Sequence, residues 1–403
     1  MNIFLSLAII FCLGVLGGIL FEKMKLPKLV WYILLGILLG PSVFNMIDDT
    51  LLQISSYLRQ IALVIILTRS GLSLDIHNLK KIGRPAILMC FLPACLEIIG
   101  VMIFAPLFLK ISYLEALLLG SVLAAVSPAV VVPRMIKLME KGYGMSNHVP
   151  ELIMAGASCD DIFVIVLFYS FKNLVATSNF DTLSLAQIPL SIISGIILGI
   201  IVGLLIVLLL NRLKMNTVLY VIFMLGLSLG LIALENLLKP FFSISSLLAI
   251  IVMAIMVNVL KKEEAKEIQK TYNSLWSGFE ILLFALVGIA TNVHYAFSKD
   301  GAILIGVVLL ALIFRSIGVI ICLIATEFNL KEKLFIIFSY LPKATVQASI
   351  GAIALTEGLS CGTIILTGAV ISILLTAPLG AILMDTTYRK LLNVDTSITS
   401  QIK

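Results

Sequence analysis

The sequence predicts an all-α polytopic membrane protein with about 13 transmembrane helices. Hydrophobic residues make up 61% and charged residues only 12% of the 403 residues, unlike the balance of a soluble domain. Apolar stretches of about 20 residues, long enough to span a bilayer as helices, recur along the whole chain. The connections between them are short, so residues 1–403 are expected to form a single transmembrane domain.

The apolar stretches can be followed in order along the chain. They cover roughly residues 3–22, 29–46, 52–72, 86–109, 114–133, 150–171, 186–210, 216–236, 243–260, 273–293, 302–325, 334–355 and 361–384. Six stretches, one linker and six further stretches predict two repeats of opposite topology. The repeats would cover about 1–175 and about 216–390, and the linker helix about 186–210.

Basic residues predict the orientation, because cytoplasmic loops of membrane proteins collect Lys and Arg. Of the 28 basic residues, 20 fall beside one alternating set of connections, and only Lys110, Lys172, Lys239 and Lys299 fall beside the other. We therefore expect the N-terminus outside and the C-terminus inside. The net charge of +6 reflects this bias, so no nucleic-acid partner is expected.

Two adjacent acids, Asp160 and Asp161, lie deep within the sixth stretch, after the small residues 155–158. Charges at bilayer depth are costly, and they usually mark substrate or proton pathways. Neighbouring helical residues point about 100° apart, so the two carboxylates are expected to have different tasks. Carboxylates held close together away from water bind protons more readily, which would let protons and a cation such as Na⁺ or Li⁺ compete for them.

Proline interrupts two stretches, the fifth at Pro128 and Pro133 and the twelfth at Pro342. Unpaired backbone at bilayer depth is tolerated only where it lines a cavity or binds something. Interruptions in corresponding spans of two repeats point to an ion site between them. The hydroxyl residues beside the breaks, Ser127 and Thr345, are candidate ligands.

Two further buried charges suggest an ion pair. Glu97 and Arg315 are 218 residues apart, close to the 214 residues that separate Pro128 from Pro342, so they occupy similar places in the two repeats. We expect them to pair. Among other basic residues within the stretches, Lys343 is expected to offset the helix dipole ends at the second break. Arg59 and Arg69 are expected to reach the membrane interfaces.

These motifs resemble the cation/proton antiporters that carry two adjacent aspartates. The resemblance rests on residues 124–133 (AAVSPAVVVP), 142–144 (GYG), 160–162 (DDI) and 341–348 (LPKATVQA). It is greatest for the sodium/proton antiporters of the NHA type shared by bacteria and animals, and it covers nearly the whole chain.

The resemblance implies a homodimer with crossed broken helices 5 and 12 and elevator-like alternating access, without a cofactor. It implies that Asp161 is the principal ion and proton carboxylate, with Asp160 as its partner and Ser127 as a further ligand. Electrogenic relatives carry a lysine where this sequence has Arg315. Arginine is effectively never deprotonated in a protein, so we expect electroneutral exchange of Na⁺ or Li⁺ for H⁺.

Other functions remain open as alternatives. A K⁺/H⁺ antiporter and a Na⁺-coupled organic-anion symporter of similar fold are the nearest. An intramembrane aspartyl protease is disfavoured, because Asp160 and Asp161 are neighbours on one helix, so the chain is not expected to be an enzyme. The predicted location is the plasma membrane of a bacterium.

Overall fold

The computed structural model describes residues 2–74, 82–177, 182–213, 216–238 and 244–394. Secondary structure within these ranges is helical, apart from one isolated antiparallel bridge between Tyr143 and Val394. Lys80, Lys81, Lys214, Lys239 and Lys403, which contributed to the predicted orientation, lie outside the described residues.

Eighteen helices are formed by the described residues. They are α1 (Ile3–Lys23), α2 (Lys28–Leu39), α3 (Asp49–Ser73), α4 (Arg84–Met89), α5 (Leu92–Leu109), α6 (Tyr113–Leu123), α7 (Pro128–Glu140), α8 (Val149–Thr177), α9 (Thr182–Arg212), α10 (Thr217–Leu238), α11 (Ser246–Leu260), α12 (Lys262–Ile289), α13 (Val293–Ala296), α14 (Lys299–Cys322), α15 (Leu330–Ser339), α16 (Thr345–Gly351), α17 (Ile353–Thr356) and α18 (Gly362–Leu391).

The predicted all-helical membrane fold is confirmed. Within the described ranges, ten helices or consecutive helix pairs are long and apolar enough to cross a membrane. Three shorter apolar segments, 28–39, 246–260 and 345–356, occupy the second, ninth and twelfth predicted stretches. The second predicted stretch extends to residue 46, but α2 ends at Leu39 because Gly40 and Pro41 follow.

Two helix interruptions lie where proline predicted them. The backbone leaves the helical path after Leu123 and resumes at Pro128, whose missing N–H costs nothing at the first position of α7. It leaves the helix again after Ser339 and resumes at Thr345, with Pro342 between. A third interruption, at Cys90 and Phe91, was not predicted, and Pro93 follows it in the first turn of α5.

The helices pack mainly within two groups. Group A consists of α1–α3 and α9–α12, and group B of α4–α8 and α14–α18. Gly36 of α2 and Gly288 of α12 allow the closest approach in group A, since a Cβ on either would overlap the backbone of the other helix. Group B contains all three interruptions and both aspartates, so it positions the candidate site.

Candidate functional site

The interruptions in the fifth and twelfth spans touch each other at the centre of group B. The amide of Ser127 donates a hydrogen bond to the carbonyl of Pro342 at 2.8 Å. The side chain of Gln347 connects the same segments: its Nε2 donates to the carbonyl of Ala125 at 2.7 Å, and its Oε1 accepts from the amide of Ala344 at 2.9 Å. Two of the backbone groups that the breaks free, the amide of Ser127 and the carbonyl of Ala125, are therefore satisfied by the opposite segment.

Asp160 is held in place by this crossing. Its side chain is fully buried, and Oδ2 accepts hydrogen bonds from the amide of Val126 at 2.8 Å and from Nη2 of Arg315 at 3.0 Å. The other oxygen, Oδ1, has no hydrogen-bond partner among the described residues. Oδ2 is thus occupied by structural hydrogen bonds, and Oδ1 is available to a ligand.

Arg315 links Asp160 to two further buried charges. Its Nη1 lies 2.9 Å from Oε2 of Glu97, and Nζ of Lys343 lies 2.7 Å from Oε1 of the same carboxylate. Arg315 also donates to the carbonyls of Tyr340, at 2.7 Å, and Ala124. The ammonium of Lys343, which was expected to offset helix dipoles, thus contacts a carboxylate. We call Glu97, Asp160, Arg315 and Lys343 the charge network; it holds two acids and two bases.

Asp161 is placed differently from its neighbour. It lines a cavity of about 430 Å³ between groups A and B, and only 3% of its surface is exposed. Its Oδ1 has no hydrogen-bond partner within the described ranges, and it forms no ion pair there. Asp161 is therefore a buried carboxylate outside the charge network, facing a cavity. We call this space the Asp161 cavity.

The sequence-predicted residues divide into two sets around this cavity. Thr345, Pro128 and Pro133 line it together with Asp161, whereas Asp160, Ser127, Pro342 and the other members of the charge network do not. The hydroxyl of Ser127 is buried beside the first break and has no hydrogen-bond partner in the described part of the chain.

Oxygen atoms dominate the available ligands. Carboxylate, hydroxyl and carbonyl oxygens suit hard cations. The described residues contain no group of three or more His, Cys, Asp or Glu side chains that could hold a metal ion.

Two polar residues make contacts that the sequence did not predict. Gln347 is fully buried and bridges both breaks. The sequence shows Gln347 as a polar residue within the second broken segment, but an uncharged side chain alone does not indicate a buried contact. Arg59, expected to reach the membrane interface, is instead 8% exposed and donates to Oγ1 of Thr356 at 3.2 Å.

Known proteins resemble this chain along most of its length. Residues 7–386 match the family model described as "Sodium/hydrogen exchanger, transmembrane". Human sodium/hydrogen exchanger 9B2 is 34% identical over 399 residues, which cover 95% of this chain and 74% of the human protein. Human sodium/hydrogen exchanger 9B1 is 32% identical over 415 residues, covering 97% of this chain and 78% of that protein.

A solved structure supports the fold. The sodium proton antiporter MjNhaP1 from Methanocaldococcus jannaschii at pH 8 superposes with a TM-score of 0.81 at 21% sequence identity, covering 96% of this chain and 97% of that one. The homologues are transporters and not enzymes.

The predicted localisation has to be corrected. A bacterial plasma membrane was expected, but the curated relatives named here are human proteins, and a mouse 9B2 protein matches similarly, at 32% identity. These relatives contradict the bacterial assignment and support only a multi-pass membrane protein.

Proposed function

The chain belongs to the sodium/hydrogen exchanger family, and from this we propose that it exchanges Na⁺ or Li⁺ for H⁺ across a membrane through Asp161. The observation that carries the proposal is the contrast between the two adjacent aspartates. Asp160 is fixed by Arg315 and Val126, whereas Asp161 faces the cavity with a carboxylate oxygen that lacks a partner among the described residues.

Competition at one carboxylate accounts for exchange. A proton or a cation can neutralise Asp161, but each excludes the other, so loading one releases the other. Thr345, which lines the same cavity, and Ser127, whose hydroxyl has no hydrogen-bond partner among the described residues, supply further oxygen ligands for the cation. Asp160, through its unused Oδ1, completes the proposed ligand set.

The exchange is electroneutral in this proposal. The charge network contains two acids and two bases and is balanced within itself. Arg315 cannot release a proton during turnover. Asp161 therefore carries either one cation or one proton, and it is neutral in both loaded states.

Alternating access completes the proposal. The Asp161 cavity lies between groups A and B, and its walls include Ser73 at the end of α3 and Gln269 in the first part of α12. Both positions are close in sequence to lysines that the charge pattern assigns to the cytoplasmic side, and in this proposal the cavity therefore opens to the cytoplasm. Movement of group B against group A, elevator-like, would expose the site on the other side. Thirteen spans in two inverted repeats, an external N-terminus, an internal C-terminus and a homodimer belong to the same proposal.

Proton transport by purified protein in liposomes tests the function. A preset pH gradient is followed with a dye while NaCl, LiCl, KCl or choline chloride is added to wild type, Asp161→Asn and Asp385→Asn. Asp385 is the control, because it is a carboxylate of group B that pairs with Arg134 at 3.1 Å and does not line the cavity. Gradient collapse with Na⁺ and Li⁺, lost only in Asp161→Asn, is the expected result.

Other outcomes reject parts of the proposal. Collapse of the pH gradient with K⁺ alone would identify K⁺ as the transported cation. A gradient that persists with every salt would favour an organic-anion symporter. A transport current in a solid-supported membrane recording, proportional to the rate of exchange, would exclude electroneutrality.

A further inference from the structure

A second cavity lies between the two helix groups, at the other end of the helices that wall the Asp161 cavity. It has a volume of about 150 Å³. We call it the Arg59 cavity. Arg59 lines it and Arg69 lines the Asp161 cavity, and ten residues of α3 correspond to about 15 Å along the helix axis.

Two elements of group B also run past both cavities. On α8, Asp161 faces the first cavity and Lys172 the second; on the α16–α17 segment, Thr345 faces the first and Thr356 the second. A displacement of these elements that closed one cavity would therefore act directly on the other. The Arg59 cavity occupies the place that the opposite access route to Asp161 would need.

Apart from Arg59, the charged side chains named here on each wall of the Arg59 cavity have partners within their own group. On the group B wall, Nζ of Lys172 lies 2.7 Å from Oε1 of Glu357. On the group A wall, Glu235 accepts from the amide of Ser246 at 2.8 Å and from its hydroxyl. These pairs can survive a separation of the two groups.

Arg59 makes the contact that a separation would break. It belongs to group A, and its Nη2 donates to Oγ1 of Thr356 in group B at 3.2 Å, while Nη1 donates to Ser55 on its own helix at 3.3 Å. Arg59 also lines a neighbouring cavity of about 520 Å³ together with Ser55 and Leu355. Its side chain thus lines both cavities.

We propose that Arg59 and Thr356 form a latch that closes the second access route to Asp161, and that the Arg59 cavity is the part of this route next to the latch. The inference rests on the proposed alternating access. Arg59 is a positioning residue here: it contacts no transported ion and sets which side of the protein reaches the site. Opening the latch joins the cavities of about 150 and 520 Å³ while leaving both wall pairs intact.

Thr356→Val tests the latch, because it removes the accepting hydroxyl and keeps the shape of the side chain. Thr367→Val is the control, since Thr367 lies in group B and its hydroxyl has no partner in the described part of the chain; Thr367 is buried, whereas Thr356 is exposed. Arg59→Gln is a second variant that removes the charged donor. Hydrogen–deuterium exchange is measured by mass spectrometry on each full-length protein, without an ion gradient.

A hydrogen bond from a charged donor commonly contributes enough to shift a two-state balance roughly tenfold. In Thr356→Val and Arg59→Gln, peptides covering 55–63 and 349–357 should exchange several-fold faster than in wild type, and peptides covering 128–136 and 154–161 should exchange more slowly. Thr367→Val should match wild type. The latch would be overturned by faster hydrogen–deuterium exchange in the peptides of both cavities. It would also be overturned if Thr356→Val and Thr367→Val had equal exchange rates in all of these peptides.

The result is separable from the proposed transport function. Opposite changes at the two cavities would support the latch even if Asp161→Asn still transported ions. If Asp161→Asn lost Na⁺/H⁺ exchange while Thr356→Val showed no change in hydrogen–deuterium exchange at either cavity, the transport function would be retained and the latch rejected.

Discussion

Replacing Glu97 by Gln should destabilise the protein more than any single change at its surface. Glu97 is 1% exposed and neutralises two cations, Arg315 at 2.9 Å and Lys343 at 2.7 Å. Opposite charges about 4 Å apart interact by about 4 kcal/mol at an effective dielectric of about 20. Removing one partner of a buried ion pair costs about 3–5 kcal/mol, because the remaining charge stays buried.

The change in melting temperature follows from the size of the chain. An unfolding entropy of about 2.1 cal/mol/K per residue gives about 0.85 kcal/mol/K for 403 residues. A loss of about 3–5 kcal/mol therefore lowers Tm by about 4–6 °C. Thermal unfolding of the purified protein in detergent, followed by size-exclusion chromatography with fluorescence detection, measures this shift.

A double substitution separates charge balance from side-chain packing. Glu97→Gln combined with Lys343→Met leaves Arg315 with Asp160 and restores a network of one acid and one base. We expect the double variant to recover much of the Tm lost in Glu97→Gln, a coupling that a double-mutant cycle quantifies. Additive losses in the cycle, or a drop below about 1 °C in Glu97→Gln, would refute this account of the charge network.

Three further predictions concern the breaks and the helix packing. Ser127→Ala should leave Tm unchanged, because its hydroxyl bonds to nothing among the described residues, yet raise the apparent KM for Na⁺ several-fold in the liposome assay; an unchanged KM would remove Ser127 from the ligand set. Gln347→Leu should lower Tm by about 3 °C or more, because it leaves buried backbone groups of both breaks without partners, whereas an unchanged Tm would show that the bridge contributes little. Gly36→Ala should lower Tm, because a Cβ would overlap the backbone of Ala285, while Gly226→Ala, with nothing within 4 Å, should be neutral; equal effects would contradict the packing described.

Much of the helical layout was predictable from the sequence because the bilayer imposes a length and a polarity on each span. Proline indicated where the fifth and twelfth spans break, since it removes a backbone donor. The polar start of α12 was missed: its helix begins at Lys262, whereas the predicted apolar stretch begins at 273. An apolar window detects the part of a helix that lies in lipid and not the charged turns that precede it.

The contacts within the candidate site were harder to predict. Glu97 and Arg315 were expected to pair from their matching positions in the two repeats, and they lie 2.9 Å apart. Nothing in the sequence indicated that Lys343 would share the same carboxylate, or that Arg59 would turn inward to Thr356. Such choices depend on how far each broken helix is displaced, which is a property of the folded backbone.

The self-contained neutrality of the charge network has a bioenergetic consequence under the proposed exchange. Moving one elementary charge through 100 mV corresponds to about 2.3 kcal/mol. If group B carries Asp161 in a neutral form in both directions, its movement across the membrane does no electrical work. Such an exchanger would be indifferent to membrane voltage and would respond to concentrations alone. A proton ratio of about ten across the membrane would sustain a sodium ratio of about ten, and a membrane energised only by voltage could not drive sodium in either direction through this protein.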